Sequence, residues 1–338
     1  MKKKILGALA VICTVVCAGC GSGKVKTDDL AKYVKLGNIR DLGVEYVKTE
    51  VTDEDIDSAI EEELAGMADL EEKDSPAQRG DVIDIRMTVT SEDGEVLYDF
   101  SDDVYDMTIG EGEWGEEFDE CLIGRSAGDS AQATFDYDED FEDMLMCGHT
   151  VTFDYTIEKV YNATIPVLDD ELLSEMGYES EEAYREYIRE SLAEENEYDD
   201  RETYIQQLLE AVEQNSEFSD IPKSVLDYTR ECVKAGYESY ADMMSCDVEE
   251  VYSMMGVTDS DIEEESLSYA KELIIIDAIR VSEGIELDSA TYDKKLKDFM
   301  DEEEYDNMTE VYEDYEKTEL EELFMDELVK DYLVSINS

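Results

Sequence analysis

Basic residues, histidine, tryptophan and long apolar runs are all scarce in this chain. Lys and Arg number 27 against 93 Asp and Glu, a net charge of −66 over 338 residues. Such a surface repels phosphate backbones and anionic headgroups, so nucleic acid and electrostatic membrane adhesion are excluded as partners. His149 is the one histidine and Trp114 the one tryptophan. Repeated βα units are missing, which argues against a doubly wound solute-binding protein. Cysteine offers little: Cys121, Cys147, Cys232 and Cys246 follow three in the first 20 residues, and their spacing fits no zinc pattern. Three pairings are open to those four, and unpaired thiols are expected.

Present in quantity are hydrophobic residues, 42% of the chain, and 22 tyrosines. They supply enough apolar surface for folded domains inside an acidic shell, where charge alone would suggest disorder. The acid is spread along the chain. It reads as a solvated surface suited to basic or unfolded polypeptides and to divalent cations outside the cell.

The first residues have the form of an export signal. Met1-Lys-Lys-Lys4 is basic, and Ile5 to Val16 is apolar but too short to span a bilayer comfortably. Cys17-Ala-Gly-Cys20 resembles a bacterial lipobox, with Cys17 where Leu, Val or Ile is usual. Cys20 is then the lipidated first residue of the mature chain and Gly21-Ser-Gly-Lys24 a flexible tether; an ordinary signal peptide is the alternative. A thioether-linked diacylglycerol brings two acyl chains, enough for stable anchoring. The expectation is a lipid-anchored protein on the extracytoplasmic face of the cell membrane. Loss of residues 1–19 removes Lys2, Lys3 and Lys4 and no acidic residue, leaving a net −69.

Strand periodicity begins at Val82. Ile83, Ile85, Met87 and Val89 share one face while Asp84, Arg86 and Thr88 share the other. Asp93-Gly94 offers a turn. Ala131 to Tyr137 and Val151 to Ile157 alternate in the same way, so at least three strands form an antiparallel sheet with one wet face. Glu71 to Arg79, with Pro76, reads as a loop into it.

Helical periods frame the sheet. Thr52 and Asp55 make a capping-box start for a helix bearing Ile56, Ile60 and Leu64. After Val160, Ser180 caps a helix with Tyr184, Ile188 and Leu192, and the pattern resumes at Tyr204 beyond the charged run Glu194 to Glu202. Pro222 opens a helix to about Met244, Thr258 with Asp261 starts another through Val281, Asp288 a third, and a last runs from about Met308 to Val334. The resulting division is 1–19 signal, 20–48 tether and linker, 49–78 linker helix, 79–161 sheet domain and 162–338 helical domain.

Between the strands lie Met107-Thr-Ile-Gly-Glu-Gly-Glu-Trp-Gly-Glu-Glu-Phe118, with a short helix ending near Phe118, and Cys121-Leu-Ile-Gly-Arg-Ser-Ala-Gly-Asp129. The Ile-Gly-x-Gly turn, the helix and the Gly-x-x-x-Gly-Asp turn resemble the FKBP-type prolyl isomerase domain of trigger factor, from Gly80-Asp81 to Val160. Tyr33 to Ile56 resembles the linker that enters that domain. Ile221-Pro222, Leu273 to Val281 and Gly284-Ile-Glu-Leu-Asp288 resemble the C-terminal chaperone module. The resemblance implies an α+β fold: an FKBP-like antiparallel sheet with a short helix, then an all-α trigger factor C-terminal-like chaperone domain. It leaves out the family's ribosome-docking domain, so no ribosome is expected as a partner.

It also implies a chemistry. Rotation about an X-Pro bond is slow because amide resonance must be broken, a barrier of ~18–20 kcal/mol for peptide bonds in general. A dry aromatic cleft helps by disfavouring the polar planar amide, and a backbone N–H can hold the carbonyl. No cofactor, metal or covalent nucleophile is needed. The resemblance places Met87, Leu97, Tyr105, Ile109, Trp114, Phe118, Phe141 and Phe153 around the cleft, with Tyr98 or Asp99 where an acidic residue often stands beside it. Core packing is the alternative for each, most evenly balanced at Ile109 and Phe153. The implied partners are unfolded or newly exported polypeptides containing X-Pro bonds.

Trp114-Gly-Glu-Glu-Phe118 departs from the family's Val/Met-Ile-Pro-Gly-Phe/Trp pattern. Gly115 stands where the family has the Ile that donates its N–H. The departure implies weak or lost isomerase activity and leaves a catalytically silent holdase open. Other constellations fare worse. Gly124-Arg-Ser-Ala-Gly128 with His149 matches a serine-hydrolase pattern, but it follows a short helix and leads into a strand, without the strand-turn-helix elbow. His149 reads as a turn residue. Asp136 to Asp143 lacks the glycine and spacing of an EF-hand and reads as a solvated loop.

Overall fold

The computed structural model describes residues 29–338 other than 95, 139, 140, 142, 144, 244–246 and 304. The export signal, Cys20 and Cys246 lie outside the described residues. In chain order the elements are β1 (Val34–Lys35), α1 (Asp53–Gly66), β2 (Asp69–Glu72), β3 (Asp81–Ser91), β4 (Val96–Thr108), α2 (Glu116–Leu122), β5 (Ser130–Asp136), β6 (Thr150–Thr164), α3 (Asp170–Glu175), α4 (Glu181–Asn215), β7 (Glu217–Phe218), α5 (Lys223–Met243), α6 (Val248–Met254), α7 (Asp259–Glu283), α8 (Ser289–Glu302), α9 (Met308–Asp314) and α10 (Lys317–Ser335). They divide into two compact units: residues 50–194, and residues up to 49 together with 195–338.

The first unit is a five-stranded antiparallel sheet in the order β2-β6-β3-β4, with β5 also paired to β6. Strict alternation makes β3 its centre: Ile83, Ile85, Met87 and Val89 are buried, and Asp84, Arg86 and Thr88 are partly exposed. Val151, Phe153, Tyr155 and Ile157 of β6 enter the same core. Gly94, at φ +81°, turns the chain from β3 into β4. Outside the sheet, α1 starts at the expected capping box, Thr52 Oγ1 accepting from Asp55 N and the Asp55 carboxylate accepting from Thr52 N. Ile56 and Ile60 pack with Leu173, Tyr184 and Ile188, and Arg185 pairs with Asp57 at 2.6 Å.

In the other unit the core joins Tyr204, Ile205, Leu208 and Val212 of α4, Ile275 and Ile279 of α7, and Val329 and Leu333 of α10. Residues 29–44, read from sequence as tether and linker, are built into it. Val34 and Lys35 pair with Phe218 and Glu217, Ile39 enters the core, and Leu30 packs with Val225, Ala270 and Ile274. Gly37 is required there, because a Cβ would stand 2.1 Å from the Asn215 carbonyl oxygen. The run Glu194 to Glu202 does not interrupt α4, a single helix of 35 residues.

Four local readings differ from the sequence. Glu71 and Glu72 are strand residues, paired with Asn162 and Tyr161 on the edge of β6 opposite β3. The short helix starts near Phe118, at Glu116, because Gly115 at φ +90° ends the preceding turn. The expected last helix is two, α9 and α10, since Glu316 opens a new capping box with Glu319. Cys232 is disulfide-bonded where a thiol was expected; pairing depends on Cα proximity in the fold, which spacing does not encode. Cys121 and Cys147 form no disulfide.

Candidate functional site

An aromatic cluster covers one end of the sheet unit, and a bulge creates it. Ile85 pairs with Tyr105 while Met87 pairs with Phe100, so residues 101–104 of β4 loop out of the ladder. Arg86 staples the loop, donating to the carbonyls of Ser101 and Asp102 and pairing with Glu158 at 3.1 Å. The bulge sets Phe100 and Tyr105 side by side, centroids 4.8 Å apart.

Trp114 lies against both. Its ring meets Tyr98 at 5.0 Å, Tyr105 at 5.7 Å and Phe153 at 6.0 Å, each nearly perpendicular. Below it Phe118 stacks on Phe153 at 4.3 Å, with Met87 and Ile109 in the same core. Met87, Ile109, Trp114, Phe118 and Phe153 are therefore buried, whereas Leu97, Tyr98, Tyr105 and Phe141 are half-buried at the margin. The structure does not bring Asp99 into the cluster. It points to solvent and accepts from Ser101 N at 3.0 Å and Thr88 Oγ1 at 3.3 Å, and Ser101 holds its carboxyl below the ordinary range.

The acidic neighbours of the margin are others. Tyr98 donates to Asp143 at 2.6 Å and Tyr105 to Glu113. Burial first, and then these carboxylates, push both phenols well above the ordinary tyrosine range, so both stay neutral donors. Asp143 is fixed in turn by the backbone N–H groups of Leu145 and Met146. Phe100, Tyr137, Glu113 and Asp143 were not found from sequence. Tyr98 and Phe100 share a strand face, and Tyr137 continues the face of Ala133 and Phe135, which were usable signals for Phe100 and Tyr137; the loop contacts of Asp143 left none.

Gly115 has a defined role. Its N–H donates to the Gly112 carbonyl at 2.8 Å, and its α-hydrogen face meets the Tyr137 ring, where a Cβ would come within 3.0 Å. Tyr137 donates its hydroxyl to the Trp114 carbonyl at 2.5 Å. An isoleucine at 115 would carry both a clash and a left-handed backbone.

The rival sites are structural. Ser126 N–H donates to Asp129 in the turn that leads into β5, and His149 lies 3.5 Å from Glu92. Among the described residues no three His, Cys, Asp or Glu side chains gather to hold a metal ion, and no helix is long and apolar enough to cross a membrane.

Comparison with known proteins adds the family context. Residues 181–335 match the family model described as bacterial trigger factor protein C-terminus. Trigger factor of Streptococcus gordonii is 35% identical over 164 residues, 48% of this chain and 38% of that protein. Trigger factor of Streptococcus agalactiae is 29% identical over 278 residues, 80% and 64% respectively. That of Macrococcus caseolyticus is 27% identical over 274 residues, 78% and 63%. A solved trigger factor chaperone chain, from work on its promiscuous substrate recognition, aligns at TM-score 0.43 and 20% identity over 90% of this chain and 74% of its own. The chain thus spans 38% to 64% of the length of these curated relatives. Its helical C-terminal region is similar to the trigger factor C-terminus.

Proposed function

We propose that this protein is an extracytoplasmic folding chaperone that holds unfolded or newly exported polypeptides, with the aromatic end of its sheet unit, an FKBP-type site, engaging their X-Pro segments. The similarity of residues 181–335 to the trigger factor C-terminus carries this reading. Large apolar side chains exposed on the helical unit, Met243, Val281, Met308 and Tyr312, support it. The acidic shell would keep a loaded complex soluble. Anchoring through a lipid at Cys20 is part of the proposal and is supported by the signal-like run Met1 to Cys20.

A specific observation favours the second reading, a holdase with little or no isomerase activity. The Gly115 N–H, assigned by resemblance to the client's carbonyl, is already bonded to Gly112, and Glu116 and Glu117 follow it. Proline-limited refolding of a model protein, with and without the chain lacking residues 1–20, separates the two. Faster refolding than the spontaneous tens to hundreds of seconds identifies an isomerase. An unchanged rate with a raised yield identifies a holdase, and neither effect contradicts both readings.

A further inference from the structure

The aromatic site is filled by the chain's own tryptophan. Tyr98, Phe100, Tyr105 and Phe153 surround the Trp114 indole with centroids 5.0, 6.1, 5.7 and 6.0 Å away, and their planes stand 78° to 85° from it. Edge-to-face contact is a favoured geometry for aromatic pairs, so the four rings make a close seat for the indole. The cage walls from β4 are partly exposed, while the guest is 5% exposed.

The seat suits the ring but not its polar edge. Trp114 Nε1 is buried and has no partner at full hydrogen-bond geometry, although nearly all buried donors in folded proteins have one. The indole N–H faces the Tyr105 hydroxyl, which itself donates to Glu113. Out of the cage the indole N–H would reach water, so this imperfect bond offsets part of what the aromatic contacts contribute.

The segment carrying Trp114 is also jointed. Gly112 and Gly115 flank it at φ +73° and +90°; its backbone is held by Gly115 N to Gly112 O, by Gly112 N to the Asp119 carboxylate and by the Tyr137 hydroxyl to the Trp114 carbonyl, so the motion required is of the indole side chain. Beneath the indole the floor is complete without it, since Phe118 and Phe153 stack directly on each other.

We propose that Trp114 is an intramolecular plug: its indole occupies the cage of Tyr98, Phe100, Tyr105 and Phe153, and a client's prolyl or aromatic ring binds by displacing it. This rests on the reading of the aromatic end as a polypeptide-binding site. It gives that site a resting, closed state, in which apparent affinity is reduced by the fraction of molecules with the indole swung out.

Because Trp114 is the sole tryptophan, its fluorescence reports the plug alone. The chain is titrated with a short peptide containing one Leu-Pro bond, and binding is followed separately by the anisotropy of a label on the peptide. Binding is expected to shift the emission to the red and increase acrylamide quenching. Trp114→Val and Trp114→Ala, checked for folding by circular dichroism, are expected to bind the peptide about tenfold tighter or more. The plug is overturned if the peptide binds while the indole stays blue-emitting and protected, or if a folded Trp114→Val variant binds no tighter than wild type. If a variant fails to fold, the wild-type fluorescence still decides. Binding to neither wild type nor folded Trp114→Val overturns the peptide-site reading itself, and the plug with it.

Discussion

Replacing Lys330 with alanine is expected to destabilise the helical unit by about 3–5 kcal/mol. The ammonium lies 3.1 Å from Glu272 of α7 and 2.9 Å from Asp326, one turn earlier on α10, and the three side chains are only 10% to 20% exposed. Its removal leaves two shielded carboxylates without the cation they share. Glu202 loses as well: burial pushes its carboxyl up, and Lys330 is the first group that holds it down. Denaturant unfolding followed by circular dichroism measures the loss, and adding Glu272→Gln and Asp326→Asn to the variant should recover part of it. A loss below about 1 kcal/mol would mean the cluster behaves as an exposed ion pair.

The pH dependence has a definite sign. Burial lowers the Lys330 pKa, but Asp326 and Glu272 outweigh it, and the folded value lies above the ordinary lysine range. Its contribution is therefore complete below the unfolded lysine value of about 10.4 and is lost only as the pH rises through the folded one. Glu202, also raised in the fold, contributes in the same direction at lower pH: its protonated form is favoured by folding, and that contribution fades as the pH rises through its folded value.

Phe118→Ala is expected to cost the sheet unit a similar ~3–5 kcal/mol. Phe118 is fully buried, stacked on Phe153 at 4.3 Å and edged by Tyr155 at 5.5 Å and Phe135 at 6.4 Å. Trp114 sits in this unit, so its fluorescence during denaturation reads the loss directly. Reduced activity in this variant would report a weakened core as much as a lost client contact, and only activity measured at matched folded fraction separates the two. A shift below about 1 kcal/mol would contradict the stacked-core geometry.

How far the sequence led depended on the range of the interaction. Period-two alternation in Val82 to Val89 and Val151 to Ile157 is local, and it identified the two central strands and which residues they bury. The capping boxes at Thr52 and Thr258 are equally local and both form. The β4 bulge was not legible, because it depends on how Arg86 pulls two carbonyls out of register across the strand. Without the bulge, Phe100 and Tyr105 cannot be seen as neighbours. Residues 29–44 failed to read as structure for a related reason: their partners, Asn215, Phe218 and Asp277, lie well over a hundred residues away. The aromatic residues themselves were visible, but sequence says only that Trp114 is near the site; that its ring is enclosed by Tyr98, Phe100, Tyr105 and Phe153 is a fact of packing.

Holding unfolded polypeptides is the function proposed for this chain. Light scattering of a chemically denatured client diluted into buffer, with increasing amounts of the chain lacking residues 1–20, tests it most directly. Aggregation is expected to be suppressed at near-equimolar ratios, with client recovered in a soluble complex. Aggregation as fast as in the chaperone-free control, from a chain shown to be folded by circular dichroism, would contradict it.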